Sequence, residues 1–260
     1  MDLNLSGRTA IVTGASRGIG AEIARELGRE GCRVVLSARD AQALADRVQE
    51  IRALGAEAIA HPSDMREPDA PAALAKAALD AFGQINIVVA NAGATKRGDF
   101  LALTDADWAD GFALKLFGHV RLIRAAWPSL AIAHGSVVII SGAGGRTPGP
   151  EFTIGGSVNA ALLSLTKALA DRGVADQVRV NVICPGNVRT DRLAARIRDK
   201  ARSGGGDEAA AIRAIVAESK SMRIGEPIDI AQFVAFMVSP RASYLHGARI
   251  DMDGGQTKTL

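Results

Sequence analysis

Short apolar runs alternate along this chain with longer stretches in which apolar residues recur every three or four positions. The runs fall at 9–13, 32–37, 57–60, 85–90, 136–141, 178–183 and 248–252, and they read as seven strands. The longer periodic stretches, at 18–29, 40–54, 68–82, 105–132, 155–172 and 227–238, read as helices. Strand and helix alternate throughout. The pattern predicts an α/β fold: a doubly wound parallel seven-stranded sheet in three αβα layers, with ligands outside the carboxyl ends of the strands. No repeat and no linker divides residues 1–260, so one domain is expected. Residues 191–224 are rich in Arg and Ala, and Ser203-Gly204-Gly205-Gly206 breaks them. They read as a mobile helical lid.

The first strand runs into IVTGASRGIG at 11–20. Strand, glycine-rich turn and helix in direct succession set backbone N–H groups and a positive helix end against a phosphate. Gly14 takes the turn, Gly18 lets backbone approach a pyrophosphate, and Gly20 lets the helix pack close to the strand. Ser16, Arg17 and Ile19 complete the candidate phosphate site.

Composition narrows the partners. Hydrophobic residues make up 48% of the chain, enough for a sizeable core, and the formal net charge is +3. That balance, with no basic helix carrying interleaved aromatics, argues against nucleic acid. No apolar run reaches the length of a membrane span, and the first strand begins too early for a signal peptide. Cys32 and Cys184 stand alone in apolar surroundings, which fits buried thiols in a reducing cytoplasm. His61, His119, His134 and His246 are scattered and form no metal-ligand spacing.

The end of the second strand is where a dinucleotide enzyme reads the adenosine ribose. Ser37 and Arg39 stand there, with Arg17 expected nearby, while Asp40 is placed to cap the next helix. Two arginines converging on this corner favour NADP(H), with NAD(H) possible. Asp64, after the third strand, could meet an adenine edge or shape the turn around Pro62. The fourth strand ends in Ala90-Asn91-Ala92-Gly93. There the Asn91 amide can pin neighbouring backbone, and Gly93 lets a cofactor lie close, unless the stretch is a plain turn.

TGASRGIG at 13–20, ANAG at 90–93, PGNVRT at 185–190, GEP at 225–227 and MDGG at 252–255 resemble the short-chain dehydrogenase/reductase family, and within it the classical branch. The resemblance runs the length of the chain in the family's order and spacing. It implies a Rossmann-type domain, a nicotinamide dinucleotide, a small-molecule substrate and a homotetramer or dimer. It also implies that Asn181, Pro185, Gly186 and Val188 lie beside the nicotinamide and Thr190 near the carboxamide and phosphates.

The catalytic positions depart from the family. Its members carry a serine, a tyrosine and a lysine around the fifth strand and the following helix, and an asparagine on the preceding helix. The tyrosine exchanges the proton, the lysine lowers its pKa, and the serine orients the carbonyl. Register follows from LTKALA at 165–170. Counting back puts Gly155 at the tyrosine position, Asn159 at the lysine position and Gly142 at the serine position, with Lys115 standing for the asparagine. Losing the tyrosine ring is expected to leave open space at Gly155. Ser141, Thr153 and Ser157 supply hydroxyls nearby, none of them at the tyrosine position. The only tyrosine, Tyr244, lies near the C-terminus, where the family commonly packs an aromatic.

Against the family, lysine and asparagine have changed places between two positions that the resemblance implies face each other. The exchange could keep an ammonium and an amide in one cavity, where a buried lysine can act as acid or base; the bland alternative is a lysine reaching out to solvent. Two functions stay open: an NADP(H)-dependent oxidoreductase using Lys115 and Asn159, or a non-catalytic dinucleotide-binding sensor or silent partner subunit. The lid arginines, among them Arg189, Arg192 and Arg196, could greet an anion or form a solvated face. Leu114, Leu116, Phe117, Leu162, Leu163 and Leu165 exceed one buried stripe and are expected to serve a subunit interface. Isothermal titration is expected to show NADP(H) binding more tightly than NAD(H), by roughly 1.5–3 kcal/mol per charge-assisted phosphate contact.

Overall fold

Valine, isoleucine and alanine fill the apolar runs, and in the computed structural model they pair into one sheet. Residues 2–203 and 205–259 are described. The strands are β1 (Thr9–Thr13), β2 (Arg33–Ala38), β3 (Ala58–Pro62), β4 (Ile87–Ala90), β5 (Ser136–Ile140), β6 (Arg179–Pro185) and β7 (Arg249–Met252). Every pairing is parallel, and the spatial order is β3-β2-β1-β4-β5-β6-β7. The order reverses between β1 and β4. That switch point opens a crevice at the carboxyl ends of both strands.

The helices are α1 (Gly18–Arg29), α2 (Ala41–Ala53), α3 (Ala70–Phe82), α4 (Asp105–Phe112), α5 (Gly118–Ile132), α6 (Thr153–Asp176), α7 (Asp191–Ser203), α8 (Glu208–Ser219) and α9 (Pro227–Val238). Alternate strand residues feed two cores, one on each face of the sheet. Ala10, Val12, Val34 and Leu36 join Ile23 and Leu27 of α1, Leu44 of α2 and Val234 of α9. Ile11, Val35, Val88 and Val137 join Leu74 of α3, Leu122 of α5 and Leu162 of α6. This is the αβα sandwich expected from the alternation. Strand boundaries shift by one or two residues from the pattern, and α6 runs longer at both ends.

The stretch 105–132 is not one regular helix. Between α4 and α5 lies a π-helical segment, Ala113–Phe117, with Lys115 at its centre. A π segment widens the turn and re-aims the side chains it carries, and such segments recur at functional sites. Residues 191–203 and 208–219 form α7 and α8, which share an apolar seam of Leu193, Ile197, Ala201, Ala211 and Ile215. Gly204, in the expected break, lies outside the described residues.

Two expectations need correction. Leu114 and Leu162 are buried in the core, and Leu116, Leu163 and Leu165 pack half-buried against it. Only Phe117 of that group is exposed, so the core itself consumes most of the apolar surplus. Tyr244 is fully exposed and packs against none of the described residues of this chain. Cys32 and Cys184 are buried free thiols. Among the described residues no helix is long and apolar enough to cross a membrane.

One side chain clamps the sheet's centre. Asn86 is buried before β4, and its Oδ1 accepts the Thr9 N–H at 2.8 Å. Its own N–H donates to the Thr9 carbonyl at 3.0 Å, and its carbonyl accepts the Ser136 N–H at 2.9 Å. Asn86→Ala strands a buried donor, so urea unfolding is expected to show a loss of about 1–3 kcal/mol with an unchanged m-value.

Candidate active site

The crevice between β1 and β4 is held by one amide. Asn91 Nδ2 donates to the Thr13 carbonyl at 2.8 Å and to the Gly14 carbonyl at 3.4 Å. In return, Thr13 Oγ1 accepts the backbone N–H groups of Asn91 and Ala92, both at 3.0 Å. Gly14 takes φ +66° and Gly18 takes φ +58°, the left-handed region that favours glycine. A Cβ on Gly20 would stand 2.3 Å from the Gly14 carbonyl oxygen. Arg17 caps α1 with backbone alone, and no acidic residue lies in the first turn. The first-turn N–H groups and the helix dipole are thus available to an anion, and these residues fit a pyrophosphate. Ile19 packs half-buried under the turn, and Ser16 is half-buried beside it.

Lys115 and Asn159 meet in the same cleft. Lys115 Nζ donates to Asn159 Oδ1 at 2.6 Å and to the Ser141 carbonyl at 2.9 Å. An ammonium has three hydrogens, so one remains. The residue is half-buried with its amine turned inward, which overturns the solvent-reaching alternative. Desolvation, then the positive charge of Arg192, lowers its pKa to about 8. One turn further, His119 Nε2 donates to the Ala92 carbonyl at 2.8 Å. Burial, then Lys115, pushes that imidazole down to about 3, so it stays neutral. The Ser141 hydroxyl donates to the Asn159 backbone carbonyl at 3.1 Å, which ties the strand end to α6.

The two glycines are filled positions. A Cβ on Gly142 would stand 2.9 Å from Asn159 Nδ2. A Cβ on Gly155 would stand 2.1 Å from Phe152 Cζ. The open space expected at Gly155 is therefore occupied by the Phe152 ring, which the chain brings back from the turn before α6. The Arg97 guanidinium stacks on that ring, 4.7 Å from its centroid. Of the nearby hydroxyls, Ser157 is exposed, while Thr153 Oγ1 is buried without a partner among the described residues.

The adenosine corner differs from expectation. Arg17, expected beside Arg39, turns toward Asp191 at the start of α7, at 3.5 Å. Arg39 stays at the end of β2, 3.9 Å from Asp64. Ser37 is fully buried and hydrogen-bonded to Ser63 at 2.9 Å, so it reads no ligand. Asp40 caps α2 through the Ala43 N–H, as anticipated. Asp64 accepts from the Arg66 N–H at 3.0 Å and from the Arg66 guanidinium, which makes it a turn-shaping residue.

Beyond β6, Gly186 is pressed on the Asp253 backbone, and its N–H reaches the Met252 carbonyl at 3.1 Å. Pro185 pairs with Met252, and Val188 bridges to Gly225. Thr190 Cγ2 would stand 3.2 Å from a Cβ on Gly18, so this segment does close over the glycine-rich turn. Asn181 is buried in mid-strand and ties the Leu245 carbonyl and the Ala248 N–H. Its work is to hold the approach to β7, away from the cleft. Gly93 is pressed on the Lys115 side chain, 2.8 Å from Cδ to a built Cβ, as well as lining the crevice.

Comparison with known proteins agrees with this geometry. A family model described as enoyl-(acyl carrier protein) reductase matches residues 14–257. An uncharacterised oxidoreductase of Mycobacterium tuberculosis is 33% identical over 97% of this chain and 93% of its own length. The chain belongs to the short-chain dehydrogenase/reductase family. Within the family, the solved L-sorbose reductase of Gluconobacter frateurii, complexed with NADPH and L-sorbose, superposes with a TM-score of 0.96. It is 29% identical, with both chains covered in full. A 7α-hydroxysteroid dehydrogenase complexed with NADH and 7-oxo glycochenodeoxycholic acid gives 0.88 at 30% identity, covering 100% and 98% of the two chains.

Residue reading missed Thr13, Phe152 and Arg97. A hydroxyl at the last position of a strand could have signalled Thr13. Nothing local signals the other two, because their meeting depends on the path of two loops. The packing at Gly155 is testable by a double-mutant cycle. Gly155→Ala is expected to cost roughly 1–3 kcal/mol by urea unfolding, and most of that cost should vanish when Phe152 is also Ala. Additive losses would mean that the ring and the glycine do not share the space.

Proposed function

We propose that this family member is an NADP(H)-dependent oxidoreductase interconverting a carbonyl and an alcohol, with Lys115 as the proton-exchanging group. In this reading Gly142, Gly155, Asn159 and Lys115 replace the family's serine, tyrosine, lysine and asparagine. The observation that carries it is the anchored amine, with Nζ hydrogen bonds to Asn159 Oδ1 at 2.6 Å and to the Ser141 carbonyl at 2.9 Å. A bound nicotinamide dinucleotide supplies the hydride in reduction or accepts it in oxidation.

The chain's own residues do the rest. Gly14, Gly18 and Gly20, with the α1 N-terminus, receive the pyrophosphate. Arg39, with no acidic side chain at the last position of β2, meets a 2′-phosphate; this supports NADP(H) over NAD(H). Lys115 Nζ gives its third proton to the carbonyl oxygen during reduction and takes one from the alcohol in the reverse direction. After donation the neutral amine still has two N–H groups, enough for both anchors. A pKa of about 8 makes this exchange feasible near neutral pH, where an ordinary lysine is too weak an acid.

The sign of the pH dependence follows. Reduction needs the ammonium, so kcat/KM for carbonyl reduction is expected to fall as pH rises through about 8. Oxidation needs the free amine and should rise through the same pH. Lys115→Met is expected to lower turnover by about 10²–10⁴-fold and to abolish that limb, with NADPH affinity little changed. Turnover that survives Lys115→Met would assign the proton to another group. Cofactor binding without turnover on any carbonyl would point to a dinucleotide-binding sensor or silent partner subunit.

A further inference from the structure

The cleft around Lys115 holds more positive charge than proton exchange requires. Arg192, in the first turn of α7, folds its guanidinium back onto the Gly93 carbonyl, with Nη2 at 2.9 Å. Gly93 is the same glycine that presses on the Lys115 side chain. Arg192 therefore lines the wall nearest the amine. On another wall Arg97 lies on Phe152, whose ring covers Gly155 and Gly144. The Gly98 N–H donates to the Glu151 carbonyl at 3.1 Å, which holds the two loops together.

These cations feel one another. Desolvation, then Arg17 and Arg97, lowers the pKa of Arg192. Arg192 in turn helps to lower that of Lys115. Arg17 has a counter-ion in Asp191. Among the described residues Arg97, Arg192 and Lys115 form no ion pair. Three unneutralised cations around one cleft is an unfavourable arrangement in isolation. It becomes favourable when an anion enters, and planar guanidinium forks suit carboxylate and phosphate oxygens.

We propose that the substrate is an anionic carbonyl compound whose carboxylate or phosphate seats between Arg97 and Arg192 while its carbonyl oxygen faces Lys115 Nζ. This deepens the reading of Lys115 and rests on it. The reaction balances as above: the carbonyl carbon gains a hydride, its oxygen gains the Lys115 proton, and solvent reprotonates the amine. The anionic group is a handle and undergoes no change. Arg17 stays with the cofactor end of the crevice, beside the glycine-rich turn.

The test uses the full chain with NADPH and three carbonyl compounds sharing one skeleton: a carboxylate, a phosphate monoester and a neutral methyl ester. An anionic member is expected to exceed the ester in kcat/KM by about 10²-fold or more, and the better anion identifies the group. Arg97→Met and Arg192→Met are each expected to raise KM for that anion by roughly 10–100-fold, as for a lost charged hydrogen bond. The ester KM and NADPH affinity should stay near wild type, while in Arg192→Met the alkaline limb of ester reduction should move to higher pH, because that charge helps to lower the Lys115 pKa. Arg192→Lys, which keeps the charge, should retain part of the anion preference. An ester used as well as both anions, or equal losses on ester and anion, would overturn the proposal. If no compound oxidises NADPH, the reading of Lys115 fails and the anion site is judged by binding. Saturable quenching of bound NADPH fluorescence by an anion, lost in the Arg97→Met/Arg192→Met double variant, supports the site; quenching unchanged by those substitutions, or none at all, overturns it.

Discussion

The crevice depends on one amide fitting where no side chain stands. Asn91 Nδ2 reaches the carbonyls of Thr13 and Gly14 only because a Cβ on Gly20, which would lie 2.4 Å from it, is missing. That contact joins the ends of β1 and β4 at the switch point of the sheet. It satisfies carbonyls that a sharp turn would otherwise leave exposed in a buried place. It also orients the turn so that α1 starts with its N–H groups facing the crevice. An arrangement that fits a phosphate follows from packing and hydrogen bonding.

The second constraint is the cost of keeping an ammonium away from water. A lysine held inside a protein must find acceptors or lose its proton. Lys115 finds two, the Ser141 carbonyl and the Asn159 amide oxygen, and still has its pKa drawn down to about 8. The π-helical segment delivers the side chain to those acceptors, and Gly93 leaves room for its methylenes. The carbonyl and the amide are both neutral, so they anchor the amine without neutralising it. A carboxylate partner would have raised the pKa and removed the amine from the useful range.

Small residues and a ring divide the remaining space. Gly142 yields to the Asn159 amide and Gly155 yields to the Phe152 ring. Both glycine positions are therefore filled, with Arg97 laid over the ring. A larger side chain at either position has to displace an existing neighbour. Positive charge gathers on the cleft walls for a related reason: among the described residues no acid stands within ion-pairing distance of Arg97, on the loop after β4, or of Arg192, in the first turn of α7.

Much of this was legible in the residues themselves. Strand and helix periods are local, so the alternation of 9–13, 18–29, 32–37 and their successors specified a parallel sheet before any contact was known. The glycine turn was legible because its geometry depends on backbone conformations that few residues adopt. The Lys115/Asn159 pairing was legible through the family resemblance, which implies that these two positions face each other across the cleft. Tertiary structure alone decided the rest. Arg17 turns to Asp191, a residue distant in sequence, in place of Arg39. Ser37 spends its hydroxyl on Ser63, Asn181 spends its amide on the approach to β7, and Phe152 takes the room expected to be empty. Long or polar side chains choose partners by what loops place within reach, and loop paths are set by packing of the whole molecule. Periodicity carries the first kind of information in every few residues; the second kind exists only once the chain has closed on itself.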